Sequence, residues 1–146
     1  DWLQENEEWS TDILVILQPT TPFRTPEEID EVIDLLISTG ANAAMTVRQP
    51  DYPPHWTILL NQEDQARLLF DEGSSFKRRQ DTPSVYQPAG SVYAIRPQLL
   101  EVLQGRLLPV ADTRGLIVPT EHAVNIDSKL HYDLARVLWQ ERSAHK

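Results

Sequence analysis

Apolar and polar positions alternate in short blocks that read as strand, helix and strand. Within Asp12-Ile-Leu-Val-Ile-Leu17 the residues after Asp12 form an unbroken apolar run rich in β-branched residues, the pattern of a strand covered on both faces in a parallel sheet. The run stops at Pro19, and a polar segment stiffened by two prolines, Gln18 to Arg24, leads into strong helix-start signals. Thr25 can cap, Pro26 sits where a missing N–H costs nothing, and Glu28 completes a capping box. Ile29, Val32, Ile33, Leu36 and Ile37 then recur at helical spacing up to Thr39, with Glu27, Asp30, Glu31 and Asp34 on or near the opposite face. Gly40 predicts a left-handed cap. Asn42-Ala-Ala-Met-Thr-Val47 reads as the next strand, so the three elements form a crossover unit of right-handed sense.

Beyond a proline-rich loop from Arg48 to His55, Trp56–Leu60 and Arg67–Phe70 flank the polar Asn61–Gln65 and read as a hairpin. Asp71 to Pro88 has no sustained period and holds the chain's one basic cluster, Lys77-Arg78-Arg79; loops of that length are usually functional or mobile. Gly90–Ile95 is a second core strand. Pro97 opens a short helix with Leu99, Leu100, Val102 and Leu103 inward, closed by Gly105. Gly115–Val118 is a short strand, Val124–Asp127 an extended segment, and Asp127 or Ser128 caps a last helix with Leu130, Leu134, Val137 and Leu138 as its apolar stripe. The order predicts an α/β sandwich with an inserted hairpin. In such folds ligands bind beyond the carboxyl ends of the strands, which singles out the loop from Gln18 to Arg24.

A chain of 146 residues with 40% apolar content is enough for one domain with a real core. It has no cysteine, hence no disulfide framework and no thiolate chemistry. A formal charge of −9 argues against a nucleic-acid surface, which needs a basic footprint. No apolar run long enough to span a membrane and no secretion signal is visible, so the expectation is a soluble, cytoplasmic protein without membrane partners.

Among candidate chemical groups, Asn125 and Asp127 stand at i and i+2 on an extended segment, so both side chains project to one side and can share a hard cation such as Mg2+. The same residues also suit a plain strand end and helix cap. Gln18, at the strand exit, offers a donor and an acceptor for hydroxyl or amide groups. Arg79, with Lys77 beside it, suits a carboxylate or phosphate. Tyr93 alternates with Val92, which places its ring in the core and only its hydroxyl near a pocket. The four histidines share no metal-ligand spacing and no serine occupies a Gly-x-Ser-x-Gly elbow, so zinc hydrolysis and serine esterase chemistry are unsupported.

Three segments carry a resemblance. Leu17-Gln-Pro-Thr-Thr-Pro-Phe-Arg24 resembles the Leu-Gln-Pro-Thr-Ser-Pro-Leu-Arg signature of the acylneuraminate (CMP-sialic acid) cytidylyltransferases. Arg79-Gln-Asp-Thr-Pro-Ser-Val-Tyr86 with Gly90-Ser-Val-Tyr93 resembles that family's Arg-Gln-x-x-Pro-x-x-Tyr and Asn-Gly-x-x-Tyr segments, and Asn125-Ile-Asp-Ser128 its Asp-Ile-Asp-Thr. The resemblance implies a Rossmann-like nucleotide-diphospho-sugar transferase sandwich that transfers CMP from CTP to a nine-carbon keto-sugar acid, releasing pyrophosphate. It further implies Asp127 as the catalytic magnesium ligand with Asn125 beside it, Gln18, Arg79, Lys77 and Tyr93 on the substrate, and a homodimer joined by an arm within residues 48–88.

Two positions depart from the pattern: Ala89 stands where the family has asparagine, and Asn125 where it has aspartate. The family's glycine-rich basic loop for the CTP phosphates has no counterpart, since the five glycines are scattered at 40, 73, 90, 105 and 115. The expectation is therefore a single, truncated cytidylyltransferase domain over residues 1–146, with little or no transferase activity by itself. The alternatives are a nucleotidyltransferase for another keto-acid sugar and a non-catalytic dimerising α/β module.

Overall fold

The computed structural model describes residues 10–103 and 112–144. The acidic start of the chain, the expected helix stop at Gly105 and the side chain of Val102 lie outside the described residues. The chain divides into two compact units, Asp1–Arg48 with Pro88–Lys146, and Gln49–Gln87.

The larger unit is built on a four-stranded sheet. In chain order its strands are β1 (Leu14–Leu17), β2 (Ala43–Arg48), β5 (Gln87–Ile95) and β6 (Thr113–Ile117); their order across the sheet is β1-β5-β2-β6. β5 runs antiparallel to β1, with Leu14 opposite Ile95 and Leu17 opposite Val92. It also opposes β2: Arg96 N–H donates to Asn42 O at one end while the Thr46 hydroxyl meets Val92 at the other. β2 and β6 are parallel, with Ala43 opposite Thr113 and Val47 opposite Ile117. Hence β1, β2 and β6 all point one way and their carboxyl ends share one edge of the sheet.

Helix α1 (Pro26–Thr39) forms where its start signals place it. Glu28 N–H donates to Thr25 Oγ1 (3.3 Å), and Thr25 N–H donates to Glu28 Oε2 (3.1 Å), closing the capping box. Gly40, at φ +65°, ends the helix as the left-handed cap. Val32 and Leu36 are fully buried against Ala44, Val92 and Ala94, with Val15 and Leu116 at the margin. Burying each such side chain stabilises the fold by roughly 1.5–3 kcal/mol. The other face holds Ala43, Ile95 and Leu103 with Leu14, Ile16 and Leu99, the last from the short helix α2 (Leu99–Leu103).

Three expectations are corrected. The apolar run of β1 is half-buried, with Leu17 40% exposed, because among the described residues it is an edge strand paired only with β5. The sheet is mixed rather than parallel, since β5 enters antiparallel between β1 and β2. The last helix, α3 (Lys129–Ala144), leaves much of its stripe uncovered: Leu130 is 75% exposed and Val137 48%, while Ala135 is the buried residue. A periodic stripe says which residues share a face, and only packing says whether that face is covered. Likewise Ile37 of α1 and Leu100 of α2 are exposed rather than inward.

In the smaller unit, β3 (Ile58–Leu60) and β4 (Ala66–Leu68) pair antiparallel. Asn61 builds the turn: its Oδ1 accepts from Glu63 and Gln65 N–H (both 2.9 Å), and its Nδ2 donates to Gln65 Oε1. A two-stranded hairpin is marginal alone. The His55 ring helps by meeting Phe76 edge-on at 5.3 Å and Phe70 at 6.3 Å. Ile58 and Leu60 remain exposed. No helix among the described residues is long and apolar enough to cross a membrane.

Candidate functional site

The site is organised at the edge where β1, β2 and β6 end. Gln18 follows β1 directly, and the loop it opens is pinned from several sides. Thr21 N–H donates to Gln18 O (3.2 Å), closing a turn, and the buried Thr21 hydroxyl donates to Gly90 O (3.1 Å). Arg24 donates to the carbonyls of Gln18 (2.8 Å) and Thr21 (2.7 Å). Phe23 is buried under the Arg142 guanidinium, 4.9 Å above its ring, and its carbonyl accepts from Arg142 Nη1 (3.2 Å).

A second segment joins this loop from the far end of the chain. Ile126 N–H donates to Thr20 O (2.8 Å), which sets Asn125-Ile126-Asp127 beside the Gln18–Phe23 loop. The predicted i, i+2 projection is realised: Asn125 and Asp127 side chains meet at 2.7 Å. The contact is made by the amide nitrogen of Asn125, which donates to Asp127 Oδ2, while Asn125 Oδ1 is buried without a partner. Asp127 itself is exposed, and its backbone N–H donates to His131 Nδ1 (3.3 Å). Ser128 is the side chain that caps α3, accepting from His131 N–H (3.2 Å).

For a divalent cation the donor set is sparse. Among the described residues no three histidine, cysteine or acidic side chains gather to hold one. Magnesium needs few protein carboxylates when phosphate and water supply the rest, so Asp127 fits it as a lone carboxylate. Asn125, with its nitrogen turned to Asp127, orients that carboxylate in this arrangement rather than offering an oxygen beside it.

Tyr93 lies within β5 opposite Ile16 and is 5% exposed; burial pushes its phenol up from the ordinary value. Lys77 and Arg79 belong to the Gln49–Gln87 unit. There Arg79 lines a cleft of about 400 Å³ with Gln49, Pro53, Thr82 and Val85, and Arg78 is paired with Asp81 at 3.0 Å.

Two features escaped the sequence reading. Ala89, the position noted for a missing asparagine, is 4% exposed and packs with Val118 and Ala123, so it faces core. His122 and Glu28 form a contact of 2.5 Å between Nδ1 and Oε1. The residues are 94 apart in sequence, and no spacing signal could have joined them.

No family model matches the chain, and no curated protein matches it in sequence. Solved structures do match. The crystal structure of 4-diphosphocytidyl-2C-methyl-D-erythritol synthase from Anaerococcus prevotii DSM 20548 superposes with a TM-score of 0.57 at 12% identity, over 89% of this chain and 59% of that one. CMP:2-keto-3-deoxy-manno-octonic acid synthetase, solved in complex with CTP, gives a TM-score of 0.57 at 14% identity, over 96% of this chain and 66% of its own. The chain therefore has the mixed α/β fold of the nucleotide-diphospho-sugar transferases and spans 59% and 66% of the lengths of these two structures.

Proposed function

We propose that the chain supplies the acceptor side of a cytidylyltransferase site. The reaction is transfer of CMP from CTP to an acylneuraminate-type nonulosonic acid. The anomeric hydroxyl oxygen forms a bond to the α-phosphorus, the bond from that phosphorus to the β-phosphate bridge breaks, pyrophosphate leaves, and the hydroxyl proton passes to water. The observation that carries this reading is the hydrogen bond from Ile126 N–H to Thr20 O (2.8 Å), which unites the strand-exit loop with the Asp127 segment at the carboxyl edge of the sheet. The likeness of fold to an enzyme solved with CTP supports the nucleotide half of the proposal.

In this reading Asp127 is the residue that would hold magnesium, which when bound neutralises phosphate charge. Asn125 steers the Asp127 carboxylate. Gln18 meets sugar hydroxyls with its amide, and Tyr93 stiffens the sheet beneath. Arg79, in the cleft of the smaller unit and with Lys77 in the same unit, suits a carboxylate or phosphate group. The exposed Ile58 and Leu60 of the hairpin arm support pairing with a second copy of the chain. A different keto-acid sugar as acceptor is the second reading, favoured by Asn125, which stands at the Asp127 segment where the resembled pattern has aspartate.

Calorimetric titration of the chain with CTP and Mg2+, then with a panel of sugar acids, tests the proposal. Magnesium-dependent binding of nucleotide or sugar acid is expected, with little turnover by this chain alone. Asn125→Asp restores a second carboxylate and should tighten Mg2+ binding by about tenfold or more. Silence towards every ligand in both forms would leave a non-catalytic module as the better description.

A further inference from the structure

An arginine that ends a motif at a ligand-binding edge invites the reading that it grips an anion. The contacts of Arg24 say otherwise. It is half-buried, and its Nη1 donates to three backbone carbonyls: Gln18 (2.8 Å), Thr21 (2.7 Å) and, more weakly, Ser91 (3.4 Å). Two of these belong to the turn that carries Gln18 and the third to β5. One cationic nitrogen thus ties the strand exit of β1 to its neighbour, with charge-assisted bonds that outweigh ordinary ones.

Next to Ser91 on β5 stands Gly90, at φ +77°, whose carbonyl accepts from the Thr21 hydroxyl. A Cβ there would lie 3.0 Å from Gln18 Oε1 and 3.4 Å from Thr21 Oγ1. The absence of a side chain at Gly90 leaves room for Gln18 Oε1 close to β5, and the positive φ adds a second reason for glycine. Gln18 is therefore confined between a backbone held by Arg24 and a neighbour without a Cβ.

We propose that Arg24 is a positioning residue that presets the orientation of the Gln18 amide before any ligand arrives, and that it is not itself an anion ligand. A preset amide costs less ordering on binding and rejects acceptors whose hydroxyl or amide groups are differently placed. The inference deepens the proposed function, since it rests on that reading for the identity of the ligand; the preset geometry itself does not.

The test uses the whole chain, free of ligand, with amide hydrogen exchange and the side-chain NH2 resonances of Gln18 as readouts. Arg24→Met should speed exchange of the Thr21 N–H, which is bonded to Gln18 O, by about ten- to hundredfold relative to core amides of β2. It should also merge the Gln18 signals with those of exposed amides. Arg24→Lys, which returns a cationic donor, should recover a substantial part of both. Gly90→Ala should shift the Gln18 resonances with a smaller change at Thr21. Unchanged Thr21 exchange and unchanged Gln18 signals in Arg24→Met would overturn the proposal. Should that variant fail to fold, Arg24→Gln takes its place, and Thr21 exchange and Gln18 signals both unchanged in it would be equally fatal.

Titration with CTP and a sugar acid separates the two readings. If the native chain binds neither while the resonance changes occur, the ligand assignment fails and the positioning role stands. If binding is lost in Arg24→Met with the Gln18 loop undisturbed, Arg24 is a ligand contact and the positioning role is wrong.

Discussion

The contact between His122 and Glu28 offers the sharpest test of how the site edge is held together. Glu28 is buried, and both carboxylate oxygens are engaged: Oε2 accepts from Thr25 N–H at 3.1 Å and Oε1 meets His122 Nδ1 at 2.5 Å. His122→Ala withdraws one partner from a group almost shut off from water. An unmade buried hydrogen bond costs roughly 1–3 kcal/mol, and more when the group is charged, so about 2 kcal/mol is expected. Glu28→Ala removes the same contact and also half of the capping box, for about 2–3 kcal/mol. In the double variant no carboxylate is left stranded, so the two losses should fall short of their sum by about 1–2 kcal/mol. For a chain of this size, 2 kcal/mol lowers the melting temperature by roughly 4–8 °C. Urea unfolding of the four proteins in one buffer gives the cycle directly. A coupling below about 0.5 kcal/mol would refute the reasoning, because independent sites add to within that margin.

Other outcomes follow from single positions. Ala89→Asn puts an amide into the cluster of Val118 and Ala123; it should cost about 2 kcal/mol or more in thermal or urea unfolding and bring no gain in sugar-acid binding. Leu130→Ser, on the uncovered side of α3, should change stability by less than about 0.5 kcal/mol, against about 2–5 kcal/mol for truncation of a packed leucine. Tyr93 has its phenol raised by burial, so the stability this group contributes is full below the unfolded value near about 10 and is lost as pH climbs through the higher folded value. Urea midpoints should therefore fall more steeply above about pH 10 in the native chain than in Tyr93→Phe, and equal slopes would count against the burial argument.

Much of this molecule is local, and local features are legible in letters. The capping box of Thr25 and Glu28, the left-handed stop at Gly40 and the hairpin around Asn61 each depend on residues within a few positions of one another, so short-range sterics and hydrogen bonding decide them. The pairing of Asn125 with Asp127 belongs here too, because i and i+2 on an extended chain face one side. Their chemistry was only partly legible: which atom of an amide faces a carboxylate depends on what else surrounds it.

Tertiary structure decided everything that needed two distant segments. A five-residue apolar run cannot announce whether it lies mid-sheet or at an edge, because both bury a strand's side chains to some degree; strand order settled that β1 is an edge among the described residues. The stripe on α3 had the right period and still faces outward in large part, since period reports a shared face and not its partner. Ala89 turned out to be core, Arg24 a staple for carbonyls, and His122 the companion of Glu28 for the same reason. Each depends on which surfaces meet after the chain has folded, and contacts between residues tens of positions apart leave no periodic trace in the sequence of one protein.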